Sequence, residues 1–129
     1  MTVTANGSAT TVPTAPYSRA PTRACLVRAG VRFGGYYGRP FPLYPEIESW
    51  LAVPFGKYAV YVLFTKSDAR ATVLEQRYKQ LGRALGATDA EIRRLIFRRR
   101  NVVYEPASAP RVFEPIPAED LAALDRCLH

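Results

Sequence analysis

Proline divides this chain into parts that differ in what they can fold into. Prolines recur in residues 1–45 and again in residues 106–117. Each one costs about 3 kcal/mol inside a helix and is excluded from central strands. We therefore expect an extended basic arm (1–45), a foldable centre (46–100) and a proline-rich tail that ends in a short helix (101–129). A centre of about 55 residues is small for a core of its own, so we also expect neighbouring subunits to complete that core.

The chain is strongly basic, and its charge is unevenly distributed. Lys and Arg number 18 against 11 Asp and Glu, which gives a formal net charge of +7. Such a surface favours anionic partners, whether nucleic acid, acidic protein or anionic lipid. The first acidic residue is Glu46, so residues 1–45 contain five arginines and no acid. That composition is typical of organelle import sequences, and a basic arm without targeting information is the equal alternative.

Within the arm, residues 31–45 mix glycine, proline and aromatic side chains, which disfavours a helix. Aromatic and guanidinium groups are common anchors of protein interfaces. We expect an extended strap that docks into a groove of a partner protein. RNA bases stacked on the same side chains are the alternative. The residues expected to make these contacts are Arg32, Phe33, Tyr36, Tyr37 and Arg39.

The most apolar run of the chain extends from Trp50 to Phe64. It is shorter than the roughly 20 residues that a membrane-spanning helix needs. Three interpretations compete: a buried strand, a soluble helix that begins near Pro54, and a membrane helix that draws in residues 43–49. A buried helix or strand is the favoured interpretation. The aromatic side chains that would be buried or meet lipid are Trp50, Phe55, Tyr58, Tyr61 and Phe64.

Two capping signals predict a helical hairpin over about residues 67–100. Ser67 can cap a first helix that carries an apolar stripe at helical spacing. The sequence TDAE at residues 88–91 is a capping box, which predicts a second helix over residues 89–100. A loop this short makes the two helices antiparallel. With a short C-terminal helix after the last proline, the predicted fold is mainly α.

The segment EIRRLIFRRRN places five arginines around the narrow apolar stripe of the second predicted helix. Arg93 and Arg94 follow Asp89 and Glu91 by about one turn, so local ion pairs account for them. The last three arginines have no carboxylate nearby in the sequence. A favourable interaction with the C-terminal end of the helix dipole can account for one arginine at this position more easily than for three adjacent ones. We therefore expect that an anionic partner contacts Arg98, Arg99 and Arg100.

No pattern in the sequence indicates catalysis, a cofactor or a metal ion. The only histidine is His129, at the chain end, where a general base would be poorly held. Cys25 and Cys127 lack metal-ligand spacing. Two unlinked thiols are the favoured state of these cysteines, and a disulfide between the two tails is the alternative, which would require an oxidising compartment. We predict no catalytic, cofactor-binding or metal-binding residues.

Together these features predict a non-catalytic accessory or structural subunit of a large multi-protein complex. The acid-free arm and the aromatic apolar run favour a mitochondrial inner-membrane complex of the respiratory-chain or ATP synthase type. Its partners would be other protein subunits, with anionic lipid as a further contact. An RNA-binding mitoribosomal protein is the alternative, since basic tails bind the phosphate backbone. A virion structural protein is a weaker alternative.

Overall fold

The computed structural model describes residues 15–34, 43–56, 58–106 and 115–128. Within these ranges, the sheet consists of four antiparallel strands in the order β1-β2-β4-β3, with helices on both faces. The prediction of a mainly α fold is therefore wrong, and the described residues form an α+β fold. In chain order the elements are α1 (Arg19–Arg28), β1 (Ser49–Phe55), β2 (Tyr58–Phe64), α2 (Asp68–Ala84), α3 (Asp89–Ile92), β3 (Phe97–Arg99), β4 (Val102–Pro106) and α4 (Ala118–Asp125).

The apolar run forms a β-hairpin. Its second strand, β2, is the buried strand that the β-branched and aromatic residues favour, whereas β1 was not predicted. β1 and β2 pair antiparallel up to Phe55 opposite Tyr58, and Gly56 turns the chain with a φ of +66°. Every residue of β2 after the first is buried, because helices cover both faces of the sheet. This double cover explains why the run lacks polar alternation. Neither helix considered for this run is formed, and no helix of the described ranges is both long and apolar enough to cross a bilayer.

The first helix of the predicted hairpin is confirmed. α2 begins directly after Ser67, whose hydroxyl accepts a hydrogen bond from the backbone N–H of Arg70 at 3.1 Å. Its buried side chains are Ala71, Leu74 and Tyr78, which follow the helical spacing of the apolar stripe. The cap and the stripe are local signals, so the sequence was sufficient to place this helix.

The predicted length of the second helix of the hairpin is wrong, because the helix ends after one turn and a strand follows within the predicted range. The capping box forms between Thr88 and Glu91 as predicted, yet α3 is a single turn. Residues 97–99 form β3 because β4, an inner strand of the sheet, offers them an antiparallel partner. Arg100 then takes a left-handed φ of 54°, which no α-helix accommodates. Sheet pairing therefore overrides the helical pattern beyond the first turn.

The sheet separates two cores. On one face, α2 and the residues after α3 form the α2 core: Ile47, Tyr61, Leu63, Ala71, Leu74, Tyr78, Leu95, Ile96 and Val103. On the other face, α1 and α4 cover the tail core, so named because it includes residues from both tails of the chain. Its buried members are Leu26, Leu51, Val53, Val60, Val62, Phe64, Val102, Tyr104, Ile116, Leu124 and Leu128.

Both tails of the chain therefore contribute to its core, which corrects two expectations. The arm predicted to be extended contains α1, and Pro21 fits into the first turn of this helix, where a backbone N–H is not needed. The proline-rich tail begins with an inner strand, β4, and its predicted short helix is confirmed as α4. Residues of both tails thus add to the core that neighbouring subunits were expected to complete.

Candidate interaction surface

The arginines predicted to contact an anionic partner lie in β3 and in the turn after it. Because side chains of a strand alternate between the two faces, Arg98 and Arg99 point to opposite sides of the sheet. The Nε atom of Arg98 lies 3.5 Å from Oε1 of Glu75 on α2. The guanidinium of Arg99 donates two hydrogen bonds to Asp125 on α4, with Nε to Oδ1 at 2.9 Å and Nη2 to Oδ2 at 3.1 Å. This edge strand is therefore tied to both helical layers.

The carboxylates of α4 hold the helix against the sheet. Asp125 also accepts a hydrogen bond from the hydroxyl of Tyr104 at 2.8 Å. Burial, and secondly this hydrogen bond, raise the pKa of Tyr104 above its ordinary value. The hydrogen bonds to Asp125 raise the pKa of Arg99 as well. In the first turn of α4, Asp120 accepts a hydrogen bond from Tyr58, and burial again raises the pKa of that phenol.

The turn between β3 and β4 fastens the segment before α1 onto the sheet. Asn101 is fully buried there. Its Oδ1 accepts a hydrogen bond from the backbone N–H of Tyr17 at 2.8 Å, and its Nδ2 donates to the carbonyl oxygens of Tyr17 and Thr65, each at 2.9 Å. Beside it, Arg100 donates to the carbonyl oxygen of Ala15 at 2.8 Å, and its guanidinium lies 4.5 Å from the ring centroid of Tyr17. All three predicted contact arginines thus have partners within the chain.

The ion pairs expected for Arg93 and Arg94 are not formed. Asp89 pairs instead with Arg83, whose Nε lies 3.0 Å from Oδ1, and the carboxylate of Glu91 accepts the capping-box hydrogen bond. Arg93 and Arg94 are exposed, and neither has an ion pair with another residue that the structure describes. Proximity in sequence therefore assigned Arg93 and Arg94 to carboxylates that they do not meet and missed the partners of the next three arginines. The contact of those three with an anionic partner stays a prediction.

The strap lies only partly within the described ranges. Phe33 packs against the tail core, and the guanidinium of Arg23 lies 4.7 Å from its ring centroid. Arg32 is exposed. The other three strap residues, Tyr36, Tyr37 and Arg39, lie outside the described residues, so docking of the strap into a partner stays a prediction.

The five aromatic residues singled out in the apolar run divide between the two cores. Phe55, Tyr58 and Phe64 pack in the tail core, whereas Trp50 and Tyr61 pack in the α2 core. The rings of Phe55 and Tyr58 lie 5.9 Å apart next to the hairpin turn. These side chains therefore pack on opposite faces of the sheet and do not form one common surface.

Cys25 and Cys127 form a disulfide, with their Cα atoms 5.7 Å apart. The favoured expectation of two unlinked thiols is therefore wrong, and the alternative, a bond between the two tails, is correct. Cys25 lies within α1 and Cys127 lies two residues after the end of α4, so the bond connects helical regions from opposite ends of the chain. A sequence separation of 102 residues gave no local signal for this pairing.

The disulfide brings Arg126 close to the basic helix α1. We define the α1 arginine surface as the exposed residues Arg23, Arg28, Arg32 and Arg126. Residues 15–34 contain no acid, and in the described parts of the chain no carboxylate pairs with any of these four. Val27 on the same helix is 47% exposed. Uncompensated positive charge beside an exposed apolar side chain is typical of a contact surface for an anionic partner.

Sequence reasoning missed three residues that organise this region: Tyr17, Asn101 and Asp125. The turn carries only a weak signal. Asn101 is a common turn residue and stands before the β-branched pair Val102 and Val103, but the Asn-Gly or Asp-Gly pair typical of two-residue hairpins is missing. The contacts of Tyr17 and Asp125 have no comparable local pattern, because their partners are distant in the sequence.

No known protein family matches this chain, and neither a curated protein nor a solved structure shows significant similarity to it. Its class follows from the fold and the surface: a small basic α+β protein whose two tails are joined by a disulfide.

Proposed function

We propose that this chain is a non-catalytic subunit of a multi-protein assembly and that its α1 arginine surface binds an anionic partner subunit. The observation that supports this most is the exposed pair Arg28 and Arg32, which has no carboxylate partner among the described residues. Guanidinium groups without compensating acids raise the local potential, which attracts a negatively charged surface and speeds its association.

A protein partner is proposed rather than RNA because of the aromatic residue at this surface. Single-stranded RNA is bound by aromatic rings whose faces are open for base stacking. Phe33 packs against the tail core, and Arg23 lies over its ring. Val27, in contrast, offers exposed aliphatic surface, which suits a protein contact.

The proposed setting is a mitochondrial inner-membrane complex of the respiratory-chain or ATP synthase type. Its support is the acid-free composition of residues 1–45. The disulfide adds a condition, since such bonds persist in compartments that keep thiols oxidised. The proposal therefore includes an oxidising compartment for the folded chain.

The test is a charge reversal with a matched control. The double variant Arg28→Glu/Arg32→Glu removes the exposed pair of the α1 arginine surface. The control, Arg93→Glu/Arg94→Glu, changes the net charge equally at a second exposed site that has no ion pair within the described ranges. Each full-length chain is expressed in its native source with an affinity tag, and the fraction that migrates with the assembly is measured by density-gradient sedimentation. We expect the α1 variant to lose about tenfold or more of this fraction and the control to retain it, as for truncation of an interface hot spot.

Three results would contradict the proposal. Equal losses in both variants would show a dependence on net charge alone. Migration of the wild-type chain as a free monomer would exclude a stable assembly. Loss of co-sedimentation after nuclease treatment would favour the RNA-binding alternative, whose affinity falls steeply with salt.

A further inference from the structure

We infer that the Cys25–Cys127 disulfide is a redox latch, whose reduction releases the C-terminal half of α1 from the sheet and leaves α4 in place. This inference does not depend on the proposed function. It follows from a difference between the two helices near the bond. α4 has several other contacts with the sheet, whereas α1 has few.

α4 is anchored to the sheet without the help of the disulfide. Its C-terminal end is held by Asp125, which accepts hydrogen bonds from Arg99 and Tyr104. Its first turn is held by Asp120, which accepts one from Tyr58. Leu124 is fully buried in the tail core, and Leu128 is 3% exposed. Each of these contacts remains when the sulfur–sulfur bond is broken.

α1 has fewer anchors, and they are concentrated at its N-terminal end. Its buried side chains are Thr22 and Leu26, and the hydroxyl of Thr22 donates to the carbonyl oxygen of Ser18, the residue before the helix, and so does not reach the sheet. The segment before the helix is fixed by the hydrogen bonds between Tyr17 and Asn101. Arg19, in the first turn, donates to the carbonyl oxygen of Trp50 at 2.9 Å.

The C-terminal half of α1 depends on Leu26, on the packing of Val31 and Phe33 and on the disulfide. A helix of ten residues is too short to persist in water without tertiary contacts. Loss of the covalent bond should therefore allow this half to open, with the fixed residues around Tyr17 as the pivot. Opening would move Arg28 and Arg32 away from Arg126 and divide the α1 arginine surface.

The chemical step requires a dithiol reductant. One thiolate of the reductant attacks a sulfur of the disulfide, forms a mixed disulfide and releases one cysteine thiolate, which takes up a proton. The second thiol of the reductant then displaces the remaining cysteine. The protein gains two thiols, and the reductant leaves as its own disulfide. Both cysteines are partly exposed, so a reductant in solution can reach the disulfide.

The latch can be tested by amide hydrogen exchange and mass spectrometry on the full-length chain, oxidised and after reduction with dithiothreitol. We expect exchange of residues 22–28 to accelerate on reduction by at least about tenfold more than exchange of α4 and β2, because local openings differ in free energy between elements. The variant Cys25→Ser/Cys127→Ser, without reductant, should reproduce the reduced pattern. α2, which contacts neither cysteine, serves as the internal reference.

Two outcomes would overturn the inference. Unchanged exchange in residues 22–28 would show that noncovalent contacts alone hold α1. A uniform increase over α1, α4 and the sheet, or global unfolding of the reduced chain, would show that the bond stabilises the whole fold and is no local latch. Neither outcome bears on the charge-reversal experiment, which is carried out on the oxidised protein.

Discussion

The two helical layers that cover the sheet are built in different ways. The α2 layer comes from one continuous segment between the two hairpins. The tail layer combines α1 and α4 from opposite ends of the chain, joined by a disulfide that spans 102 residues of sequence. The first layer is specified by a serine cap and an apolar stripe within the helix itself. The second depends on contacts such as that of Arg99 with Asp125, which are distant in sequence.

This difference shows how a chain with proline-interrupted ends can complete its own core. Bringing distant segments together has an entropy cost that grows with the length of the closed loop. A covalent bond between the tails lowers that cost by restricting the unfolded chain, and the effect is larger for longer loops. Because α4 keeps its hydrogen bonds to the sheet without the disulfide, the C-terminal half of α1 should depend on this bond more than α4 or the α2 layer does.

The largest expected effects come from matched core truncations. Leu74 in α2 and Leu26 in α1 are both fully buried, so Leu74→Ala and Leu26→Ala should each lower the free energy of unfolding by about 2–5 kcal/mol. Removal of the disulfide should cost about 2–4 kcal/mol. In double-mutant cycles measured by urea unfolding, we expect Leu26→Ala to couple with disulfide removal by more than about 0.5 kcal/mol and Leu74→Ala to be additive. Equal coupling of both would contradict the contrast between the layers.

The next effect concerns the buried amide that anchors the N-terminal segment. Asn101→Ala leaves the backbone groups of Tyr17 and the carbonyl of Thr65 without their partner, which should cost about 1–3 kcal/mol in thermal unfolding. Gln76→Ala, at an exposed position of α2, is the control and should change stability by less than about 0.5 kcal/mol. A loss no greater than that of the control would show that the tail layer does not rely on this turn.

A third effect is confined to alkaline solution. The raised pKa of Tyr104 and of Tyr58 means that the folded state keeps phenolic protons that the unfolded chain releases above about pH 10. Stability from these groups is therefore fully present below pH 10 and is lost as the pH rises further. We expect the urea midpoint to fall between about pH 10 and 11, and to fall less in Tyr58→Phe/Tyr104→Phe. A midpoint that rises over this interval, or an unchanged slope in the variant, would contradict the assignment of this effect to the two strand tyrosines that donate to the carboxylates of α4.

The smallest effects compare the turns of the two hairpins. Gly56 has a positive φ and open space around its Cβ position, so Gly56→Ala should cost about 1 kcal/mol through backbone strain alone. Arg100→Gly relieves similar strain but loses the contacts with Ala15 and Tyr17, so we expect a net change below about 1 kcal/mol. Both variants can be compared by thermal unfolding. A neutral Gly56→Ala would show that the first turn tolerates a side chain and that local strain is not decisive there.

The candidate site could be predicted only in part. The acid-free N-terminal segment was evident from composition, and it includes Arg28 and Arg32. The selection of these two over Arg98–Arg100 required the structure, because charges that are neighbours in sequence do not reveal which guanidinium groups meet a carboxylate after folding. Asp125 lies 26 residues from Arg99, well beyond any helical spacing.

By itself, the sequence determined the features whose causes lie within a few residues. These are α2 with its serine cap, the capping box at Thr88, the β-branched character of β2 and the short helix α4 after Pro117. Tertiary structure decided the rest. Residues 97–99 became a strand because β4 offered a partner, and the tails became a layer because contacts formed across 84 and 102 residues of sequence. Such contacts depend on which surfaces meet after the chain has closed, and no local pattern of residues specifies that.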